Sequence, residues 1–429
     1  MQIHHHPLQA SRGAFVRPLV LGLSSVFAVG AWAQDEPSPY YIGVTQGFTH
    51  DTNIYGSSTN QISDTYSSTG LRGGLDQTIG RQRVYANANV RYNKYRNESV
   101  LDNTSYGVAA GWDWATIEQL SGNVSATANQ SLANLDSTPG LTQSSAREKN
   151  TLKTDQLSTS VTWGGAGALS LQGAYAHSRV DYSAVAYAGL KSSADSASAS
   201  VFYRVGPQLK LGTALRFVRT ESPNAVPLSA TNTDTSNTAN IRNLDLTADW
   251  RPTAQTGFDS RLSWTRQTNS HQDLSDLDFS GLTGRLAVRY AATGKTTLNA
   301  SLSRDVGTNA AFYNNPNTTT SSGQPTSDLT RNSQTTDTFA LGAHYAATAK
   351  IGVDLGASYR RAKVVYDDSA AAADVNDNIR SLSLGAEYQV ARSWQLGCKL
   401  SRSLRRVTGT TSYAYSDGSI GCTAQLTLR

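Results

Sequence analysis

A strict alternation of polar and apolar residues is the feature of this sequence that most constrains its fold. It is clearest at residues 120–132, which read LSGNVSATANQSL. Successive side chains of a β-strand point to opposite faces, so this stretch predicts a strand with one dry face and one wet face. Most of the apolar residues are small, however, and the dry face is too thin for the packed core of a soluble sandwich.

The same alternation recurs along the chain, for example in RVYANANVRYN (83–93), NLDLTADW (243–250) and LSLGAEY (382–388). Marking each instance gives about eighteen segments of roughly ten residues, the length that a tilted membrane strand needs. A thin apolar face suits lipid, a polar face suits an aqueous lumen, and closure removes the sheet edges. The sequence therefore predicts an all-β fold, a transmembrane antiparallel β-barrel of about 18 strands.

The connections between these segments alternate in length. Short ones include Ile117–Gln119, Gly164–Gly167, Gly206–Gln208 and Ala391–Ser393. Long polar ones include Ala133–Asn150, Glu221–Ala239 and Gly307–Ser333. This pattern predicts short periplasmic turns and long extracellular loops, with both ends of the barrel on the periplasmic side.

The first 33 residues have the organisation of a secretory signal peptide. Arg12 and Arg17 precede a short apolar run, and Ala31, Trp32 and Ala33 form an A-x-A cleavage site. The alternative, an N-terminal membrane anchor, needs a longer apolar run. We therefore predict a signal peptide at 1–33, a single barrel domain at 34–429, and location in the outer membrane of a Gram-negative bacterium.

Aromatic residues recur on the apolar face near the ends of the predicted strands. One set precedes the short turns: Trp112, Trp114, Trp163, Tyr203, Trp250, Tyr290, Tyr345 and Tyr388. A second set lies toward the opposite ends: Tyr92, Tyr175, Phe217, Trp264 and Tyr359. Amphipathic rings favour the membrane interfaces, so we predict two aromatic girdles.

The polar face supplies the candidate functional residues. The lumen-lining candidates are Arg83, Asn87, Asn89, Arg91, Lys210, Arg216, Arg285, Arg289, Arg360 and Lys399. Arg204 and Arg261 share this face with the acids Asp113, Asp245, Asp249, Asp259, Asp354 and Glu387. An excess of basic residues on the lumen wall favours anions, and amides and hydroxyls bind hydroxyl-rich ligands. A polar wall with paired charges is equally typical of any water-filled barrel, so both interpretations stay open.

The two cysteines, Cys398 and Cys422, fall on the apolar face of the last two predicted strands. A hairpin centred near Thr410 places them opposite each other, within the reach of a disulfide. An oxidising periplasm permits this bond, and two inert thiols are the alternative.

No constellation of catalytic or metal-ligating residues emerges from the sequence. We expect His50 and His271 in solvated loops, His177 on the apolar face and His344 in the lumen, without the spacing of a catalytic triad. Asp367, Asp368, Asp374 and Asp377 are expected to be solvated loop acids, without the pattern of a calcium loop. We predict no enzyme activity, metal or cofactor. The net charge of +5 comes without a long basic block, so nucleic acid is not an expected partner.

Three motifs carry a family resemblance: HDTN (His50–Asn53), GRQR (Gly80–Arg83) and NTSYG (Asn103–Gly107). From Tyr40 to Trp250, and more loosely to its end, the sequence resembles the β-barrel porins encoded with exopolysaccharide biosynthesis operons in Gram-negative bacteria. The resemblance implies an outer-membrane protein that takes part in polysaccharide export or assembly, with lipid, export-machinery proteins and the barrel assembly machinery as partners. That machinery usually reads a terminal aromatic residue, whereas this sequence ends in CTAQLTLR.

Three functions are consistent with these features. The first is a channel or assembly component for an anionic or neutral exopolysaccharide. The second is a general diffusion porin or uptake channel. The third is a non-channel surface or adhesion barrel that acts through its loops.

Overall fold

The computed structural model describes residues 38–133, 149–164, 167–225, 234–271, 278–319, 325–366, 375–408 and 414–429. Within these ranges only the backbone is described at 186, 307–319, 325–334, 364–366 and 375. The predicted signal peptide at 1–33 lies outside the described residues. Among the residues described, no helix has the length and apolar composition that crossing a membrane requires.

Eighteen strands and two short 3-10 helices make up the described secondary structure. The strands are β1 Tyr40–Asp51, β2 Asp64–Ile79, β3 Gln82–Tyr95, β4 Asn103–Ala115, β5 Leu120–Leu132, β6 Thr151–Trp163, β7 Leu169–Tyr182, β8 Ser192–Val205, β9 Leu209–Ser222, β10 Asn237–Trp250, β11 Thr256–Asn269, β12 Phe279–Ala291, β13 Thr296–Thr319, β14 Pro325–Ala346, β15 Ile351–Tyr366, β16 Val375–Gln389, β17 Trp394–Thr408 and β18 Tyr415–Leu428. The 3-10 helices are Ser99–Leu101 and Val185–Leu190.

All eighteen strands belong to one closed antiparallel sheet. Each strand pairs with its sequence neighbours, and β1 pairs with β18 as well as with β2. The ring of hydrogen bonds is therefore complete and leaves no edge strand. The predicted all-β barrel of about 18 strands is confirmed.

The strand register keeps the two kinds of side chain on separate faces around the sheet. On β10 and β11, Leu244 lies opposite Trp264, whereas Asp245 lies opposite Ser263. The apolar pair is about half exposed, and both polar residues are buried. Because cross-strand partners share a face, the apolar sets of neighbouring strands join into one outer surface and the polar sets into one inner wall.

The connections alternate in length as the sequence predicts, with two corrections. The segment Gly307–Ser333, predicted to be a loop, is mostly a hairpin, because β13 and β14 stay paired from Gly307 opposite Gln334 to Asn315 opposite Thr326. The predicted loop Glu221–Ala239 is shorter, since β9 continues to Ser222 and β10 begins at Asn237.

Two of the longer connections pack against the inner wall. Tyr55, in the connection after β1, is 2% exposed and contacts Tyr95 and Leu101. Tyr187, in the connection after β7, stacks on Tyr182 with 5.5 Å between ring centroids. Both Tyr95 and Tyr182 lie on the inner face by register, so these connections narrow the mouth of the barrel at its long-loop end.

Candidate functional site

The inner wall holds all ten lumen-lining candidates. The register places Arg83, Asn87, Asn89, Arg91, Lys210, Arg216, Arg285, Arg289, Arg360 and Lys399 on the face that alternates with the apolar exterior. They do not form one cluster but are spread over five strands, β3, β9, β12, β15 and β17. The wall also carries Arg72, Asp76, Asp305 and Arg405, which the sequence analysis did not single out.

The strongest concentration of inner charge lies on β9 to β13. Arg216 donates two hydrogen bonds to Asp245, from Nε at 2.9 Å and from Nη2 at 3.2 Å. Arg261 lies directly opposite Arg285, and its Nη2 is 4.0 Å from the Oδ1 of Asp305. Three guanidinium groups therefore face two carboxylates, and we call these five residues the inner arginine cluster. Its surplus of positive charge attracts anions in the lumen.

A ladder of hydroxyl and amide groups adjoins the inner arginine cluster. The Thr265 hydroxyl lies 2.7 Å from Asn243 Oδ1 and 2.7 Å from the Thr283 hydroxyl. The three side chains come from β10, β11 and β12 and occupy consecutive inner positions across the wall. All three residues are buried, so these hydrogen bonds link neighbouring strands within the wall.

A second charged group lies toward the short-turn end. Arg83 donates from Nε to Asp76 at 2.8 Å and is 3.5 Å from Asp113. Asn123 hydrogen-bonds to the same Asp113. The guanidinium also lies over the Tyr85 ring, 5.1 Å from its centroid. Here the acids balance the arginine, so this part of the wall has no surplus positive charge.

The expectation that Asp377 is a solvated loop acid is wrong. It lies in β16, and its side chain and that of Arg405 are 1% and 0% exposed. Arg405 donates from Nε and Nη2 to the two carboxylate oxygens at 3.0 and 2.7 Å. Strand β16 begins at Val375, so Asp377 lies inside the strand and not in the loop before it. The alternation along β16 turns the Asp377 side chain toward the inner side. Asp367, Asp368 and Asp374 lie outside the described residues.

The histidines are dispersed around the barrel. His344 bonds Asp354 at 2.8 Å on the inner wall, and His177 bonds Asp195 at 2.9 Å on the exterior. His50 lies within β1 and not in a loop, because β1 extends to Asp51, and its Nδ1 is 3.0 Å from the Thr65 hydroxyl. In the described part of the chain, no serine hydroxyl bonds to the imidazole of His177 or His344. These pairs therefore lack the nucleophile of a triad.

The outer face has the properties of a membrane-spanning surface. Leu246, Leu262, Leu302 and Leu355 are more than half exposed although they are apolar. The predicted girdle residues lie on this face by register, and Trp394, 45% exposed, joins the set at the short-turn end. Only lipid accepts an apolar surface of this extent, and a closed barrel with this band is the architecture of outer-membrane proteins. The protein is an outer-membrane β-barrel.

The two cysteines lie on this outer face. Cys398 is directly opposite Cys422 in the β17–β18 register, and their Sγ atoms form a disulfide across Cα atoms 4.1 Å apart. The bond joins the last two strands beside the seam at which β18 meets β1.

Comparisons with known proteins return similar structures but no family. No family model matches the sequence, and no curated protein matches it. The outer-membrane protein OccK1 (OpdK) of Pseudomonas aeruginosa is 11% identical with a TM-score of 0.48, over 91% of this chain and 99% of the other. A variant of the ferric enterobactin receptor PfeA of Pseudomonas aeruginosa is 9% identical with a TM-score of 0.46, over 91% and 81%. The siderophore receptor PirA of Acinetobacter baumannii is 7% identical with a TM-score of 0.43, over 92% and 81%.

Proposed function

We propose that this outer-membrane barrel is a conduit for a hydroxyl-rich saccharide and takes part in the export or assembly of an exopolysaccharide. The observation that carries the proposal is the inner arginine cluster, in which three guanidinium groups face two carboxylates on the lumen wall. Guanidinium groups attract the carboxylate or phosphate substituents of an anionic saccharide. The resemblance to barrels encoded with exopolysaccharide operons supports the same function.

Single-channel recording in planar bilayers tests this proposal. We expect a conducting pore that prefers anions and that an anionic polysaccharide blocks at lower concentration than a neutral monosaccharide does. The double variant Arg261→Gln/Arg285→Gln should shift the reversal potential toward cation preference and weaken the block. Arg304→Gln is the matched control, because Arg304 faces outward and pairs with Asp337.

The two alternative functions predict different single-channel current recordings. A general diffusion porin conducts but passes small saccharides without a preference for the polymer. A surface barrel that acts through its loops does not conduct, and the inward packing of Tyr55 and Tyr187 at the mouth favours this alternative. Either record would contradict the proposed conduit.

A further inference from the structure

A second pair of arginines faces outward at the edge of the apolar band that lies toward the long-loop end of the barrel. Arg242 on β10 lies directly opposite Arg266 on β11, and both side chains are exposed. Arg219 on the neighbouring strand β9 is also outward and exposed. We call Arg219, Arg242 and Arg266 the outer arginine cluster. It contributes nothing to the lumen.

The position of this cluster along the strands coincides with the end of the apolar surface. Moving toward the long loops, the last outward apolar residue is Phe217 on β9, Leu244 on β10 and Trp264 on β11. The next outward residue on each of these strands is the arginine. From Trp250 to Arg242, eight residues of a tilted strand rise about 20 Å, close to the height of the apolar band of such barrels. The cluster therefore lies at the level of lipid headgroups.

Nothing within the described protein neutralises the central pair. Arg219 forms an ion pair with Glu221 at 2.9 Å. In the described ranges, by contrast, neither Arg242 nor Arg266 has a carboxylate within ion-pair distance. Like charges directly opposite each other on neighbouring strands are unfavourable. An external anion held between the two guanidinium groups removes that repulsion.

A groove adjoins the cluster and adds an apolar floor to the charged edge. It has a volume of about 360 Å³, and its lining includes Tyr175, Asp195, Phe217, Arg219 and Arg242. The Asp195 carboxylate is engaged by the Tyr175 hydroxyl at 2.6 Å and by His177 Nδ1 at 2.9 Å. The rings of Tyr175 and Phe217 form an apolar floor, and the guanidinium groups of Arg219 and Arg242 lie at its edge. This arrangement suits a ligand that has an acyl chain below an anionic headgroup. Arginine binds phosphate through paired N–H donors, which distinguishes it from a simple point charge.

From these observations we infer that the outer arginine cluster binds the phosphate groups of a glycolipid in the outer leaflet. The long connections lie at this end of the barrel, and they are predicted to be extracellular, so this edge meets the outer leaflet. The inference is independent of what the lumen conducts.

Native mass spectrometry of the refolded protein in detergent tests the site. The probes are bisphosphorylated lipid A, the same lipid without phosphates, and phosphatidylglycerol. Wild type should bind the first in preference to the other two. The double variant Arg242→Gln/Arg266→Gln should lose about 30-fold in affinity for the bisphosphorylated lipid, the effect of removing two cations at a membrane surface.

Arg304→Gln/Arg361→Gln is the matched control, because both residues face outward and are exposed but both lie opposite the carboxylate residue Asp337. This control should keep wild-type affinity. The inference is overturned if the first double variant keeps its affinity, if the control loses as much, or if wild type binds the dephosphorylated lipid or phosphatidylglycerol equally well. Heat-modifiable mobility on gels verifies folding, and the three-lipid comparison on wild type does not depend on any variant.

Discussion

Two pairs of arginines, one on each face of the sheet, differ in whether carboxylates of the protein lie near them. Arg261 and Arg285 lie opposite each other on the inner wall, and Arg242 and Arg266 lie opposite each other on the exterior. The inner pair has Asp305 within 4.0 Å, and Asp245 pairs with a neighbouring arginine. The outer pair has no such acid in the described chain. The inner pair is therefore partly neutralised within the protein, whereas the outer pair depends on an external anion.

The largest expected effect concerns a buried charge on the inner side. Asp377→Asn removes the carboxylate that pairs with the buried Arg405, and breaking a buried pair costs about 3–5 kcal/mol. The control is Asp337→Asn, which removes the exposed outer partner of Arg304 and should cost about 0–1 kcal/mol. Urea unfolding in vesicles measures both free energies. Equal losses would show that burial does not separate the two pairs.

The next effect concerns neighbouring residues on opposite faces of β5. Val124 lies opposite Trp112 on the outer face, and Asn123 lies opposite Asp113 on the inner wall. Val124→Arg places a cation in lipid and should cost about 2–4 kcal/mol. Asn123→Arg places it in water beside Asp113 and should cost much less. The fraction of heat-modifiable folded protein reports the difference, and similar fractions would contradict the face assignment.

A smaller effect is expected for the disulfide on the outer face. The bond closes a segment with a sequence separation of 24, and its loss should lower the unfolding free energy by about 2 kcal/mol, at the low end of the usual range, because strand pairing already joins the hairpin. Thiol labelling of unfolded protein checks the bond itself. No label should enter before reductant is added, and two labels per chain without reductant would exclude it.

The sequence predicts the faces well because alternation is a local property. The alternation within a stretch such as 83–93 indicates which residues share a face. Pairing between strands then only has to keep the apolar residues of neighbouring strands on the same face of the sheet. Strand number and the girdle positions follow from the same pattern. The disulfide could be predicted because the position of the turn in the last hairpin is enough to place Cys398 opposite Cys422.

The parts that the sequence did not predict depend on contacts between distant segments. Tyr55 and Tyr187 are aromatic residues in connections, and nothing local indicates that they pack inward. Asp377 is buried because it pairs with Arg405 on the neighbouring strand, 28 residues later in the chain. The hairpin within Gly307–Ser333 has the polar composition of a loop, and only its pairing partner makes it a strand.

The central claim, that the polar face lines water and the apolar face meets lipid, is tested most directly by cysteine accessibility on β3. On a background with Cys398 and Cys422 replaced by serine, single cysteines at Ala86, Asn87, Ala88, Asn89 and Val90 are exposed in vesicles to a charged, membrane-impermeant thiol reagent. Labelling is expected at Asn87 and Asn89, and protection is expected at Ala86, Ala88 and Val90, which share the outer face. Labelling at the three apolar positions, with protection at the two asparagines, would contradict it.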